Sequence, residues 1–208
     1  MKSGARTLGI AVSTPPGVAS TAATEDAASG IVAGALVRAD RVFDGLSFST
    51  CTVGGTDYTD AVLDCVGTLG REDVQYLLTA GVAPAWFNVL DLHRVHEAVE
   101  RPVLSVSFEA SPGLASALGE QFSGAALEER LGTYERQPDR VRVDGTDTWV
   151  RAVGVDDDEA TAVVRALTPD GERRPEPLRV ARIAARAGRS FRGPDADGAD
   201  GVDDDRET

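Results

Sequence analysis

The stretch from Leu77 to Leu92, reading Leu-Leu-Thr-Ala-Gly-Val-Ala-Pro-Ala-Trp-Phe-Asn-Val-Leu-Asp-Leu, constrains the fold more than any other part of the chain. Its short apolar start, bounded by Gly81 and Pro84, reads as a strand buried on both faces. Pro84 breaks the strand, and Leu90, Leu92, Val95 and Val99 then recur at roughly helical spacing, with Asn88 placed as the N-cap. A buried strand that hands over to an amphipathic helix belongs to an α/β fold. In open sheets of that kind, ligands and reacting groups gather at the handover. Yet no acid, histidine, cysteine or lysine stands between Leu77 and Asn88.

The remaining segments arrange themselves around this unit. Thr7–Val12, Ile31–Val37 and Val42–Val53 read as three strands, with Asp44-Gly45 as a hairpin turn near the third. Ser13–Gly30, rich in Ser, Thr, Ala, Pro and Gly, is expected to be an irregular or mobile loop. Thr56 is placed to cap a helix over Asp57–Gly67, followed by the strand Gln75–Thr79, the helix Asn88–Glu100 and the strand Val103–Ser107. One or two helices interrupted near Gly124 lead on to a hairpin, Val141–Val143 and Thr148–Val153, turning at Asp144-Gly145. Asp156–Leu167, with acids in its first turn, and Leu178–Ala187 are the last two helices. Three strands in a meander, then helix, strand, helix and strand, is the order of a ribonuclease H-like mixed α/β sheet. A flavodoxin-like sheet would need a helix between its first strands, and Ser13–Gly30 is too polar and Gly-rich to pack as one.

Residues 1–193 are expected to form one domain. Residues 194–208, with seven acids and one arginine from Asp195 onward and almost nothing apolar, read as a disordered acidic tail. The net charge is −13, and of 21 basic residues only Lys2 is a lysine. Acid excess with scarce lysine and few aromatics points to a halophile-type protein in a salt-rich cytoplasm, where long-range repulsion is screened. An acidic protein is not kept from nucleic acid under those conditions. Cys51 and Cys65 lack metal-ligand spacing and read as buried thiols. No segment has the roughly 20 apolar residues that span a bilayer, so no membrane partner is expected.

Five segments then occur in a telling order: Gly4-Ala5-Arg6-Thr7-Leu8-Gly9-Ile10, Val53-Gly54-Gly55-Thr56-Asp57-Tyr58-Thr59, Phe87-Asn88-Val89-Leu90-Asp91, Arg101-Pro102-Val103 and Pro175-Glu176-Pro177-Leu178-Arg179-Val180-Ala181. Together they resemble the archaeal endonuclease dU family, itself distantly similar to endonuclease V. The resemblance implies a ribonuclease H-like fold and Mg²⁺-dependent cleavage of DNA near deoxyuridine, in which carboxylates from neighbouring strands hold the metal. It also implies an acid after Leu-Gly-Ile, where Ala11 and Val12 stand, and an Asp before Gly81, where Ala80 stands. A further Asp is implied at Gly54 and a His at Arg182. The departures fall on the positions that bind metal or move protons, while the flanking scaffold matches.

Asp57 survives, with Asp60 one helical turn away, as a candidate catalytic pair and Asp57 as a candidate Mg²⁺ ligand. Acids in a first helical turn are also favourable without any metal. Ser13 is a candidate phosphate contact beside Gly9, Trp86 a candidate platform for an extruded base, and Asn88 lies at the same junction. His93 and His96 stand one turn apart with no third ligand in view and read as solvated. Arg173, Arg174, Arg179, Arg182, Arg186 and Arg189 cluster around the last helix and form the best candidate nucleic-acid surface, led by Arg179 and Arg182. Two readings follow. The first is a metal-dependent endonuclease acting on DNA. The second is a non-catalytic relative that binds nucleic acid or a protein partner through the arginine-rich last helix.

Overall fold

The computed structural model describes residues 4–17 and 28–193. The expected tail and most of the Ser13–Gly30 loop lie outside those residues. The chain begins with a meander of three long strands, β1 (Arg6–Ser13), β2 (Ser29–Arg38) and β3 (Phe43–Thr52), paired antiparallel. Helix α1 (Tyr58–Leu69) returns the chain so that β4 (Val74–Ala80) lies parallel to β1. Helix α2 (Leu92–Val99) then leads to β5 (Val103–Ser107), parallel to β4. Helices α3 (Ala115–Gln121) and α4 (Gly124–Glu135) precede the hairpin β6 (Val141–Arg142) and β7 (Trp149–Val153), which extends the sheet antiparallel to β5. Helices α5 (Asp157–Leu167) and α6 (Glu176–Arg192) close the described chain. The strand order is β3-β2-β1-β4-β5-β7-β6, a mixed sheet with the ribonuclease H-like arrangement that the order of elements implied.

The two faces of the sheet differ in residue size. On β1 the side chains alternate, so Leu8 and Ile10 enter the main core with Val32 and Leu36 of β2, under α1 and α2. Gly9 and Ala11 point to the opposite face, where their β2 partners are Ala35 and Ala33. Helix α6 lies across this small-residue face, with Leu178, Ala181 and Ala185 buried beneath it. Gly9 is what permits the close approach. A Cβ at Gly9 would lie 2.3 Å from both the carbonyl carbon and oxygen of Pro177. Farther along the same face, α5 packs Val163, Val164 and Leu167 onto Leu78, Leu104 and Val150.

Several element boundaries differ from the sequence expectation for local reasons. The second helix begins at Leu92, not Asn88, because Asp91 caps it by accepting from the Arg94 N–H at 3.1 Å. The first helix begins at Tyr58, and Thr56 does not cap it. Its Tyr58 N–H instead donates to Oδ1 of Asn88, 2.9 Å away and thirty residues later in the chain. The last helix starts two residues early, at Glu176, and runs on to Arg192. Pro177 is tolerated there because the first-turn N–H groups have no helical partner.

Candidate functional site

The carboxyl ends of β1 and β4 are neighbours. Gly9 pairs with Leu78 and Ile10 with Thr79, so one residue further along Ala11 stands beside Ala80. These are two of the positions at which the family resemblance implies carboxylates. Ala11 is 2% exposed and packs with Ala35 and with Ala181 of α6, leaving no room around it for a hydrated ion.

The third such position, Gly54, is filled from another direction. Gly54 holds a φ of +76°, and a Cβ on it would lie 2.6 Å from the Trp86 ring. Trp86, Phe87 and Phe122 form an aromatic cluster with ring centroids 5.5 to 6.0 Å apart. Trp86 and Phe87 adopt positive φ themselves, a strained backbone held by this packing. Trp86 therefore seats on Gly54 within a half-buried cluster. The buried Arg130 sits 4.1 Å over Phe122 and donates to the carbonyls of Gly54 and Gly55 at 2.6 and 3.2 Å.

Asp57 is retained, and its oxygens are committed. They accept from the Thr52 N–H at 3.1 and 3.0 Å, from the Thr52 hydroxyl at 2.8 Å and from Nδ2 of Asn88 at 2.6 Å. Asn88, fully buried, also donates to the Thr52 carbonyl at 2.8 Å. Asn88 and Asp57 thus tie β3, α1 and the segment after β4 into one joint. Asp60 is exposed and pairs with Arg94 of α2, so it does not share a ligand position with Asp57. Among the described residues, no three of His, Cys, Asp and Glu gather closely enough to hold a metal. The donor set of two methyl groups, a glycine and a carboxylate already saturated by N–H and O–H donors does not fit a Mg²⁺ ion, which takes oxygen ligands.

What occupies the end of β4 and β5 is a crevice of about 590 Å³. Ala80, Ser105, Ser107, Phe108 and Tyr134 contribute to its walls, with the guanidiniums of Arg140, Arg151 and Arg174. Arg174 stacks 4.0 Å over the Phe108 ring. Burial pushes the Arg174 pKa down, and the neighbouring charges of Arg182, Arg173 and Arg186 add to that. Along α6, Arg182 and Arg186 are exposed and make no ion pair with a described residue. Arg179, expected to lead the nucleic-acid surface, is instead engaged twice by Glu176, at 2.7 and 2.6 Å. Ser13 accepts a hydrogen bond from Nε of Arg189 at 3.0 Å, which fastens the end of β1 to α6.

The two histidines are not simply solvated. His93 Nε2 lies 3.0 Å from the Arg136 carbonyl and His96 Nδ1 lies 2.7 Å from the Arg101 carbonyl, each half-buried and serving a different loop. Burial pushes the Cys51 thiol up to about 12 and Cys65 up to about 11, so both stay neutral at physiological pH.

The family model for endonuclease dU matches residues 3–188 of this chain. The chain belongs to the endonuclease dU family. A UPF0215 protein of Thermococcus kodakarensis is 32% identical over 159 residues, 76% of this chain and 80% of its own length. A crystal structure of a protein of unknown function from Archaeoglobus fulgidus superposes with a TM-score of 0.74 at 23% identity, covering 88% of this chain and 97% of that one. Ciona intestinalis endonuclease V, solved with an inosine-containing DNA, superposes with a TM-score of 0.57 at 10% identity over 90% of this chain and 87% of its own. The fold of this endonuclease dU member is thus that of endonuclease V. No helix among its described residues is long and apolar enough to cross a membrane.

Sequence reasoning did not find Arg130, Arg140, Arg151 or Tyr134. Each is distant along the chain from the junction it serves, and no local pattern distinguishes them from other surface residues.

Proposed function

We propose that this endonuclease dU member binds nucleic acid through the arginine face of α6 and has given up the metal-dependent hydrolysis of deoxyuridine-containing DNA that its family resemblance implies. The observation that carries the reading is the pair Ala11 and Ala80 at adjoining strand ends, Ala11 sealed under α6 and Ala80 lining a crevice that carries Arg140, Arg151 and Arg174. Phosphodiester hydrolysis of this kind needs a metal to activate water and to stabilise the leaving oxygen. Cationic side chains at the same place repel a metal and attract phosphate. Arg182 and Arg186 lie one turn apart on an exposed face, with Arg174 close enough for its charge to be felt, a spacing that suits successive phosphates. That the endonuclease V of similar fold was solved with DNA adds support.

Two measurements test this. In molar KCl with Mg²⁺ or Mn²⁺, a deoxyuridine-containing duplex stays intact with both the wild type and Asp57→Ala. Cleavage by the wild type that Asp57→Ala abolishes would overturn the reading and make Asp57 the core of a rebuilt metal site. In a salt titration of duplex binding, replacing Arg182 and Arg186 together with alanine weakens affinity and reduces the slope of log K against log salt by roughly 2, since each lost phosphate contact removes about 0.9. An unchanged slope would move the nucleic-acid contact elsewhere.

A further inference from the structure

We propose that the crevice at the carboxyl ends of β4 and β5 is a binding site for a phosphomonoester of nucleotide size. Its charge is the first reason. Arg140, Arg151 and Arg174 all reach its lining, and none makes an ion pair with a described carboxylate. Glu109 is the one acid on the lining, and it is exposed. On a chain with a net charge of −13, three half-buried guanidiniums without an ion-paired carboxylate are unusual, Asp139 and Glu109 acting on Arg151 and Arg174 only from farther away. Desolvating an unpaired charge is costly unless a counter-charge arrives.

The placement of the three cations is the second reason. Arg140 is held by the carbonyls of Glu109 and Ser111, and Arg151 by the carbonyl of Pro138 and the hydroxyl of Tyr134 at 3.2 Å. These neutral partners orient the guanidiniums without cancelling their charge. Arg174 makes no hydrogen bond with a described residue and offers its whole fork to a ligand. The lining also carries the hydroxyls of Ser105 and Ser107, which no described residue engages.

Size and shape are the third. About 590 Å³ is within the ordinary range for small-ligand sites. Phe108, under Arg174, and the nearby Val82 and Leu114 supply apolar wall for a planar base. Two sources carry this chemistry, a free nucleoside monophosphate and the terminal phosphate of a nucleic-acid strand. The crevice is distinct from the exposed α6 face in its lining, which includes neither Arg182 nor Arg186, although their charges reach Arg174.

Calorimetric titration of the full chain in moderate salt tests it, with dAMP, deoxyadenosine and oligodeoxynucleotides bearing or lacking a 5′-phosphate as probes. The expected result is dAMP binding at least tenfold tighter than deoxyadenosine. Arg174→Ala weakens dAMP at least tenfold, and Arg174→Lys recovers part of the loss. A 5′-phosphorylated oligonucleotide that binds tighter than both its unphosphorylated counterpart and dAMP assigns the site to strand ends, whereas parity with dAMP assigns it to free nucleotides. Equal binding of dAMP and deoxyadenosine, no binding of any phosphorylated probe, or indifference to Arg174→Ala in a folded variant would overturn the proposal.

Discussion

Gly9→Ala lowers the stability of this chain by about 3 kcal/mol or more, the cost of forcing volume into a packed core whose obstacle cannot swing aside. The added methyl would lie 2.3 Å from the Pro177 carbonyl group and 2.8 Å from the Leu178 nitrogen, all backbone atoms of the first turn of α6. Helix and strand must therefore separate, and the contacts of Leu178, Ala181 and Ala185 loosen together. For a domain of this size the loss corresponds to a fall in Tm of roughly 6–12 °C. Gly67→Ala is the matching control. Gly67 lies exposed within α1, a Cβ there meets nothing within 4 Å, and the change raises stability by up to about 1 kcal/mol through helix propensity alone. Opposite signs for the same chemical change separate close approach from backbone flexibility. A Gly9→Ala protein as stable as the wild type would mean that α6 does not rest on β1 as described.

Asn88→Ala has a comparable effect, about 3 kcal/mol, through hydrogen bonds rather than sterics. The Tyr58 N–H loses its acceptor in the buried interior, the Thr52 carbonyl loses a donor, and Asp57 loses its bond from Nδ2. The first of these is helix capping supplied from a distance; the other two leave half-buried acceptors short of a donor. Thermal or urea unfolding with α1 followed by amide exchange reads the loss, and the exchange rises first at the start of α1. Asn88→Asp keeps the shape but sets a second carboxylate against Asp57. Like charges raise the proton affinity of such a pair in the folded state. Because the folded pKa is raised above the unfolded value, the deficit of Asn88→Asp is small at acid pH and grows as the pH rises through that folded pKa. An Asn88→Ala variant with wild-type stability would show that the joint is incidental.

The same joint gives Asp57 a structural role that needs no metal. Its oxygens fix the geometry of three segments through Thr52 and Asn88. Gly54 shows the converse. Trp86 has settled onto it and Arg130 holds its carbonyl, so restoring a carboxylate there would displace a ring and leave a positive φ for a side chain to bear.

Much of this was legible along the chain. The short apolar run of β1, the buried run of β4 and the acid-rich start of α5 report local apolar patterning and helix-dipole preference, and these need only neighbouring residues. The order of those elements was enough for the ribonuclease H-like sheet, and the five ordered segments were enough for the family. The missing carboxylates at Ala11, Gly54 and Ala80 were also visible without any coordinates. What the tertiary structure alone decided is where long-range partners meet. Asn88 looked like the cap of the helix that follows it, and it caps the helix thirty residues before it. Arg179 looked like the leading phosphate contact, and Glu176 occupies it. Arg140, Arg151 and Arg174 are separated by loops, strands and a helix, and only the packing of β7, the α4 exit and the approach to α6 brings their charges to one crevice. Periodicity is a property of a few consecutive residues, whereas a binding site is a property of the distances between segments that the chain itself keeps far apart.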